Sequence, residues 1–458
     1  MWALFAGLGL MMVGNGLNGA VIGIRSGTEG FSVVVTGVVM AAYFAGFLLA
    51  PSIVVKLIPS VGHIRVFAGL ASTASSAVLM HAVSVLPLSW AIMRFIFGFC
   101  MAGLYIVIES WLGAMSDASN RGRTLAIYMI VSMGGLGAGQ YLVALADPSG
   151  FRLFVVASVL VSMSLVPITL AATTRAPQVL LPEGVSVREL IRTVPTGVLG
   201  SLMSGAAAGM VFGLGAVYAT AIGLSLERTG FFLVAPTIGA IIFQWPIGRL
   251  SDLVSRRSVI FGVALVASGV CGALLVVAEQ SILVPMLMIA LGGTMFPLYS
   301  LVISYTLDWT PEAKTMGASA TLVRINGTGA LIGPLVGASL MSAFGPQWFF
   351  WSLGSVFMVL VVYLAWRLLA KSALPMERQG AFVPFPSRAG ALAFGLITAP
   401  MRQVTKLAAG RHVTSRRHPH LDGVDHERHP TAFTRAVIDS ANDADPHDMP
   451  PESPITGP

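Results

Sequence analysis

Continuous apolar runs recur from the first residues of the chain to about residue 369, broken by short segments of Gly, Pro or charge. Each run is roughly 18 to 25 residues long, the length a helix rising about 1.5 Å per residue needs to cross a ~30 Å hydrocarbon core. The runs do not alternate in polarity, which excludes a barrel of short strands. They predict spans near residues 2–24, 33–56, 65–86, 88–112, 123–146 and 151–172. A second set follows near 196–221, 229–249, 258–278, 281–307, 314–341 and 347–369. The expected fold is therefore an all-α polytopic membrane protein of twelve transmembrane helices in two pseudo-symmetric six-helix bundles, residues 1–172 and 196–369. Between them, residues 173–195 are more polar and punctuated by prolines, and read as a linker with one short surface helix. Residues 370–458 form a tail in which Pro, charge and six of the eight histidines gather. Its far end is expected to be disordered, and residues 387–411 to lie along the lipid surface.

Basic residues in the short loops give the sidedness. Lys56, Arg65, Arg121, Arg123, Arg175, Arg188, Arg192, Arg249, Arg256, Arg257 and Lys314 fall on one side, and Arg25, Arg152 and Arg228 on the other. The first side, with both termini, is expected to be cytoplasmic, and the membrane to be the cytoplasmic (inner) one. The first run contains Asn15 and Asn18 and is preceded by no basic region, so it is read as a span and not as a cleaved signal.

The halves echo each other. A shift of 194 residues lays Gly135 and Gly139 of "GGLGAG" on Gly329 and Gly333 of "GTGALIG", and Trp111 on Tyr305. Parallel repeats of this kind place a binding site between the halves near the bilayer midplane. Glycines spaced by four (Gly205, Gly209, Gly213; Gly329, Gly333, Gly337) give smooth helix faces on which a neighbouring backbone packs closely.

Composition reinforces the pattern. Hydrophobic residues make up 55% of the 458 and charged ones 10%, against roughly 25% charged in soluble domains, and the mean hydropathy is +0.82. Cys100 and Cys271 fall inside apolar runs, as small buried thiols do. The His-rich stretch "RHPHLDGVDHERH" fixes no ligand geometry, so no metal site is expected. Walker, G-x-S-x-G and H-E-x-x-H motifs are missing from the sequence, so it reads as neither an enzyme nor a self-contained ATP-driven pump, and no cofactor is expected.

Twelve spans in two sixes, the linker, and "GRLSDLVSRR" between the eighth and ninth spans resemble the major facilitator superfamily. Gly248, Asp252, Arg256 and Arg257 match that family's loop signature, which departs at Leu253 and Ser255. The first-half loop keeps only "GHIR", with Pro59 in place of the acid. Arg94 and Gly98 are similar to the family's arginine motif in the fourth span. The run "ESWL…NRGR…IY", residues 109–128, resembles a bacterial branch of these permeases. The resemblance implies a rocking transporter whose loop signature forms a charge clamp between helices.

A charge at the bilayer centre costs at least about 2.5 kcal/mol, so ionisable residues inside spans are the informative ones: Arg94, Arg324 and, at the margin, Glu109. Arg94, Gly98, Met101, Tyr105 and Glu109 form one helix stripe, with Glu109 about 22 Å along the axis from Arg94. Arg324, with Thr321 and Thr328, is expected to line the substrate path, as are Arg94, Asn15, Asn18, Ser204 and Tyr218. Glu109 is expected to act as a gate charge pairing with Arg121, Arg123, Arg256 or Arg257, with proton carriage as the alternative. Trp111 reads as an interface anchor. The functional expectation is a monomeric secondary transporter of a small organic solute, anionic because two cavity arginines face at most one acid, with lipid and no nucleic acid as its other partner. Two alternatives stand beside it: a multidrug exporter of the same fold, and a sensor that uses its tail.

Overall fold

The computed structural model describes residues 1–116, 120–171, 185–279, 281–370, 379, 380 and 382, apart from the side chains of Arg121, Ala171 and Glu312. The far tail, with the expected surface segment 387–411 and the histidines from His412 onward, lies outside these residues, as does most of the linker. Twelve helices among the described residues are long and apolar enough to cross a membrane. The first six are α1 (Trp2–Thr28), α2 (Val33–Val61), α3 (His63–Val83), α4 (Pro87–Ala114), α5 (Gly122–Leu145) and α6 (Arg152–Leu170). The second six are α7 (Pro195–Ala221), α8 (Leu226–Leu253), α9 (Arg256–Val276), α10 (Leu283–Asp308), α11 (Thr315–Phe344) and α12 (Trp348–Ala370).

Local chemistry sets the ends of these helices. Ser32 and Ser225 cap α2 and α8 by accepting the amides of Val35 and Arg228, and Pro87 and Pro195 open α4 and α7 where no amide is needed. The sixth span breaks at Ser164. Pro167 follows three residues later, and its ring cannot sit over the carbonyl of Met163 in an unbroken helix. The α2–α3 connection is shorter than expected. Helix α2 runs on through Pro59 to Val61, and Gly62 alone, at φ +93°, makes the turn into His63. That left-handed conformation suits glycine.

The internal repeat is visible in the packing. A Cβ on Gly139 would strike the Val13 carbonyl of α1, and one on Gly333 would strike the Ala206 carbonyl of α7. Gly135 and Gly329 sit in the same way on Met12 and on the Leu202 carbonyl. Thus α5 lies on α1 as α11 lies on α7, and the four-spaced glycines of α7 and α11 face each other. The most buried spans are α1, α7 and α10 (72%) and α4 (67%), whereas α12 is only 28% buried. The first four therefore surround the centre, and α12 belongs to the lipid-facing rim. Within the linker, the short helix Val187–Thr193 is present, capped by Ser186. It is tied to the start of α11 by Lys314–Glu189, and Thr321 donates a hydrogen bond to the Val185 carbonyl.

Candidate functional site

The two halves meet along α1–α7, α2–α7, α2–α11 and α5–α8, and the ends of these seams differ. We call the end carrying Arg65, Arg123, Arg256 and Lys314 the basic end. At the opposite end Gly23 lies on Ala216, Gly37 on Pro334 and Ala338, Gly137 on Thr237 and Val234, and Gly230 on Tyr141 and Ala144. These contacts hold α1 on α7, α2 on α11 and α5 on α8 there. Toward the basic end, α5 and α8 part around a cleft of about 370 Å³, with Ile130 55% and Trp245 71% exposed.

Where the packed region begins, a small polar cavity of about 20 Å³ lies between Asn15 of α1, Tyr43 of α2, Arg94 of α4 and Gln140 of α5, with Phe212 of α7 closing it from the other half. That volume holds about one water. The Arg94 guanidinium lies 4.8 Å from the Tyr43 ring centroid, a cation–π distance. Among the described residues no carboxylate lines the cavity. Asn15 Nδ2 and Gln140 Oε1 are buried without a hydrogen-bond partner among the described residues, and so are both amide atoms of Asn18 and the Ser204 hydroxyl. Each such group costs about 1–3 kcal/mol unless water or a ligand meets it. Of these groups, Asn15 and Gln140 lie on the cavity lining.

The α4 stripe is buried throughout: Arg94, Gly98, Met101, Tyr105 and Glu109 all lie inside the protein. At its basic end Glu109 is fully buried and accepts a hydrogen bond from the Tyr128 hydroxyl of α5 at 2.8 Å. Among the described residues no ion pair joins Glu109 to Arg256 or Arg257. Arg256 is paired with Asp308 of α10 and Asp252 of α8 in its own half, and Arg257 donates to the Arg367 carbonyl. Arg123 is exposed and the Arg121 side chain lies outside the described residues. Trp111 is not an interface anchor: it is 5% exposed and stacks on His63 at 5.6 Å.

Two expected path residues are elsewhere. Arg324 is exposed and has no hydrogen bond or ion pair among the described residues. It is nine residues from Gly333, which at about 100° per residue puts it on the side of α11 opposite the α7 contact. Its stripe continues through exposed Thr328 and Ile332, a membrane-facing surface. Arg324 stands about 13 Å from the start of α11, within reach of the basic interface for a snorkelling arginine. Tyr218 stacks on Phe349 at 4.9 Å with Phe232 and Phe350 around it, an aromatic cluster inside the second half. Of the clamp residues, Gly248, Asp252 and Arg256 come together with Asp308 and a short segment of the tail. The sequence reading missed Tyr43 and Tyr128, whose partners lie on other helices, and Asp308, which it placed just outside the tenth span. Gln140 carried a signal as the one long amide in the Gly-rich part of α5.

Residues 197–411 match the family model described as Major Facilitator Superfamily. The uncharacterised MFS-type transporter YcaD of Salmonella arizonae is 26% identical over 329 residues, which are 72% of this chain and 85% of that protein. YcaD of Escherichia fergusonii is 26% identical over 330 residues, with the same shares covered. Among solved structures, the nucleoside transporter NupG superposes with a TM-score of 0.66 at 13% identity, covering 81% of this chain and 98% of that one. A bacterial homologue of the human lysosomal transporter Spinster, in an inward-facing and occupied conformation, gives 0.66 at 14% identity, covering 83% and 98%.

Proposed function

We propose that this chain, a member of the major facilitator superfamily, is a secondary transporter that carries a small organic solute across the membrane by rocking its two six-helix halves about the cavity at Asn15, Tyr43, Arg94 and Gln140. The basic end is cytoplasmic, so the closed seams face outward and the α5–α8 cleft faces inward. The observation that carries this reading is the polar cavity itself, walled by Asn15, Tyr43, Arg94 and Gln140 of the first half and by Phe212 of the second, with buried polar atoms of Asn15 and Gln140 on its lining. Alternating access needs a site that one face reaches at a time, and the packed glycines of the outer seams supply the closed face. The inward-facing conformation of the Spinster homologue supports the same assignment.

The solute is anionic. Arg94 is the cation on the cavity lining. With Arg324 on the membrane face, the preference rests on Arg94 alone. Uptake and export assays of carboxylate and amine solutes in proteoliposomes test it. Arg94→Ala is expected to lower carboxylate flux by about ten- to hundredfold, the loss of ~1.5–3 kcal/mol from a charged hydrogen bond, while Arg324→Ala leaves it unchanged. Full flux in Arg94→Ala, or loss in Arg324→Ala, would overturn the assignment.

Proton coupling rests on Glu109, the acid buried between α4 and α5 at the inward end. Flux that ignores an imposed pH gradient would remove it.

A further inference from the structure

Three residues of the tail lie across the basic end of the second half. The Gly380 amide donates to Asp308 Oδ1 at 3.0 Å, and the Phe382 amide to Asp252 Oδ1 at 2.8 Å. The Arg256 guanidinium donates to the Gly380 carbonyl at 2.7 Å, and the Arg256 amide to Gln379 Oε1 at 3.2 Å. Four hydrogen bonds thus fasten this strap to the ends of α8, α9 and α10, three of them charge-assisted. The Phe382 ring then rests on Gly248, where a Cβ would overlap it. The ring lines the α5–α8 cleft, whose other wall carries Met129, Ile130 and Met133.

That position has a mechanical consequence. At the opposite end, α5 and α8 close on each other through Gly137 and Thr237 without an intervening side chain. If the halves rock as argued above, on which this inference rests, the basic-end parts of α5 and α8 must approach in the same way. A phenylalanine seated between them obstructs that approach. We infer that Gln379, Gly380 and Phe382 form a latch: docked, it holds the transporter open at the basic end, and it must leave Gly248 before the cleft can close. Gly248, Asp252 and Arg256 are then the latch's seat as well as a clamp between helices.

The test reads opening of the opposite end in full-length protein in lipid nanodiscs. Thr237 is 1% exposed, so a Thr237→Cys reporter reacts with a polar maleimide only when that seam parts. Cys100 and Cys271 are each 1% exposed, which keeps the background low. Phe382→Ala in this background is expected to raise the labelling rate about tenfold, the shift produced by ~1.4 kcal/mol of lost differential contact. Gly248→Ala, whose methyl group expels the ring, should do the same, and the two together should add nothing further. Equal, measurable labelling with and without Phe382 would overturn the latch and leave the transport reading intact. No labelling above background in any variant would overturn both, because the seam would then never open.

Discussion

At the basic end the two halves solve one structural problem with different chemistry. The second half binds α8, α9 and α10 together through charge: Arg256, 1% exposed, sits between Asp308 and Asp252. In the first half α2 runs on through Pro59 and Gly62 alone makes the corresponding turn, His63 stacks on Trp111, and the buried acid Glu109 accepts a hydrogen bond from Tyr128. Buried charge fixes partners in direction and number, because removing one leaves the other stranded. Aromatic stacking is softer and tolerates small shifts. The contrast teaches that a repeated fold does not require repeated contacts. The half with directional acceptors, Asp252 and Asp308, is also the half that can bind the amides of a tail.

The largest effect expected from breaking this contrast is at Asp308. Asp308→Ala leaves the Arg256 guanidinium buried beside only the more exposed Asp252, and should cost about 3–5 kcal/mol of stability, read as a fall in the unfolding midpoint in detergent. Adding Arg256→Met should restore much of it, since a well-packed apolar pair is often neutral there. If the double variant is no better than the single, charge is not what organises this end. Tyr128→Phe in the first half should cost less, about 1–3 kcal/mol, because it removes one donor from a buried carboxylate. A loss equal to that of Asp308→Ala would erase the distinction between the halves. The smallest effect belongs to Glu189→Ala, which breaks the pair with Lys314. Both side chains are about half exposed (41% and 53%), so the change should be below about 1 kcal/mol and vanish at high salt.

The number, order and spacing of the spans were legible in the sequence because lipid imposes one rule on every residue of a helix: satisfy the backbone internally and show apolar side chains. The repeat was legible too, since Gly135, Gly139, Gly329 and Gly333 are needed wherever backbones touch. Burial of the α4 stripe followed from simple helix periodicity. Partners did not follow. Arg324 is as charged as Arg94, and depth in a span was the only criterion that singled out both. Which way each points depends on where α7 lies against α11 and α2 against α4, and those contacts come from residues far apart in the chain. Glu109 and Tyr128 were quoted in one motif, yet nothing in a spacing of nineteen residues across a loop says that the two side chains meet. Tyr218 shared a stripe with Ser204 and still turned into the aromatic cluster of its own half.

The single-residue turn at Gly62 limits how the first half can move. A connector of several residues has enough torsions to absorb sliding between its helices, whereas Gly62 offers one φ and one ψ, with φ already at +93°. Helices α2 and α3 are therefore kinematically one part, a V with almost no play at its vertex. Any displacement of α2 at its seam with α11 must sweep α3 along, and with it α6, to which α3 is stitched by the hydroxyls of Ser75, Ser158 and Ser162. The outer wall of the first half is then expected to move as a single lever arm, and a tag or a flexible insertion at residue 62 to introduce slack at its fulcrum.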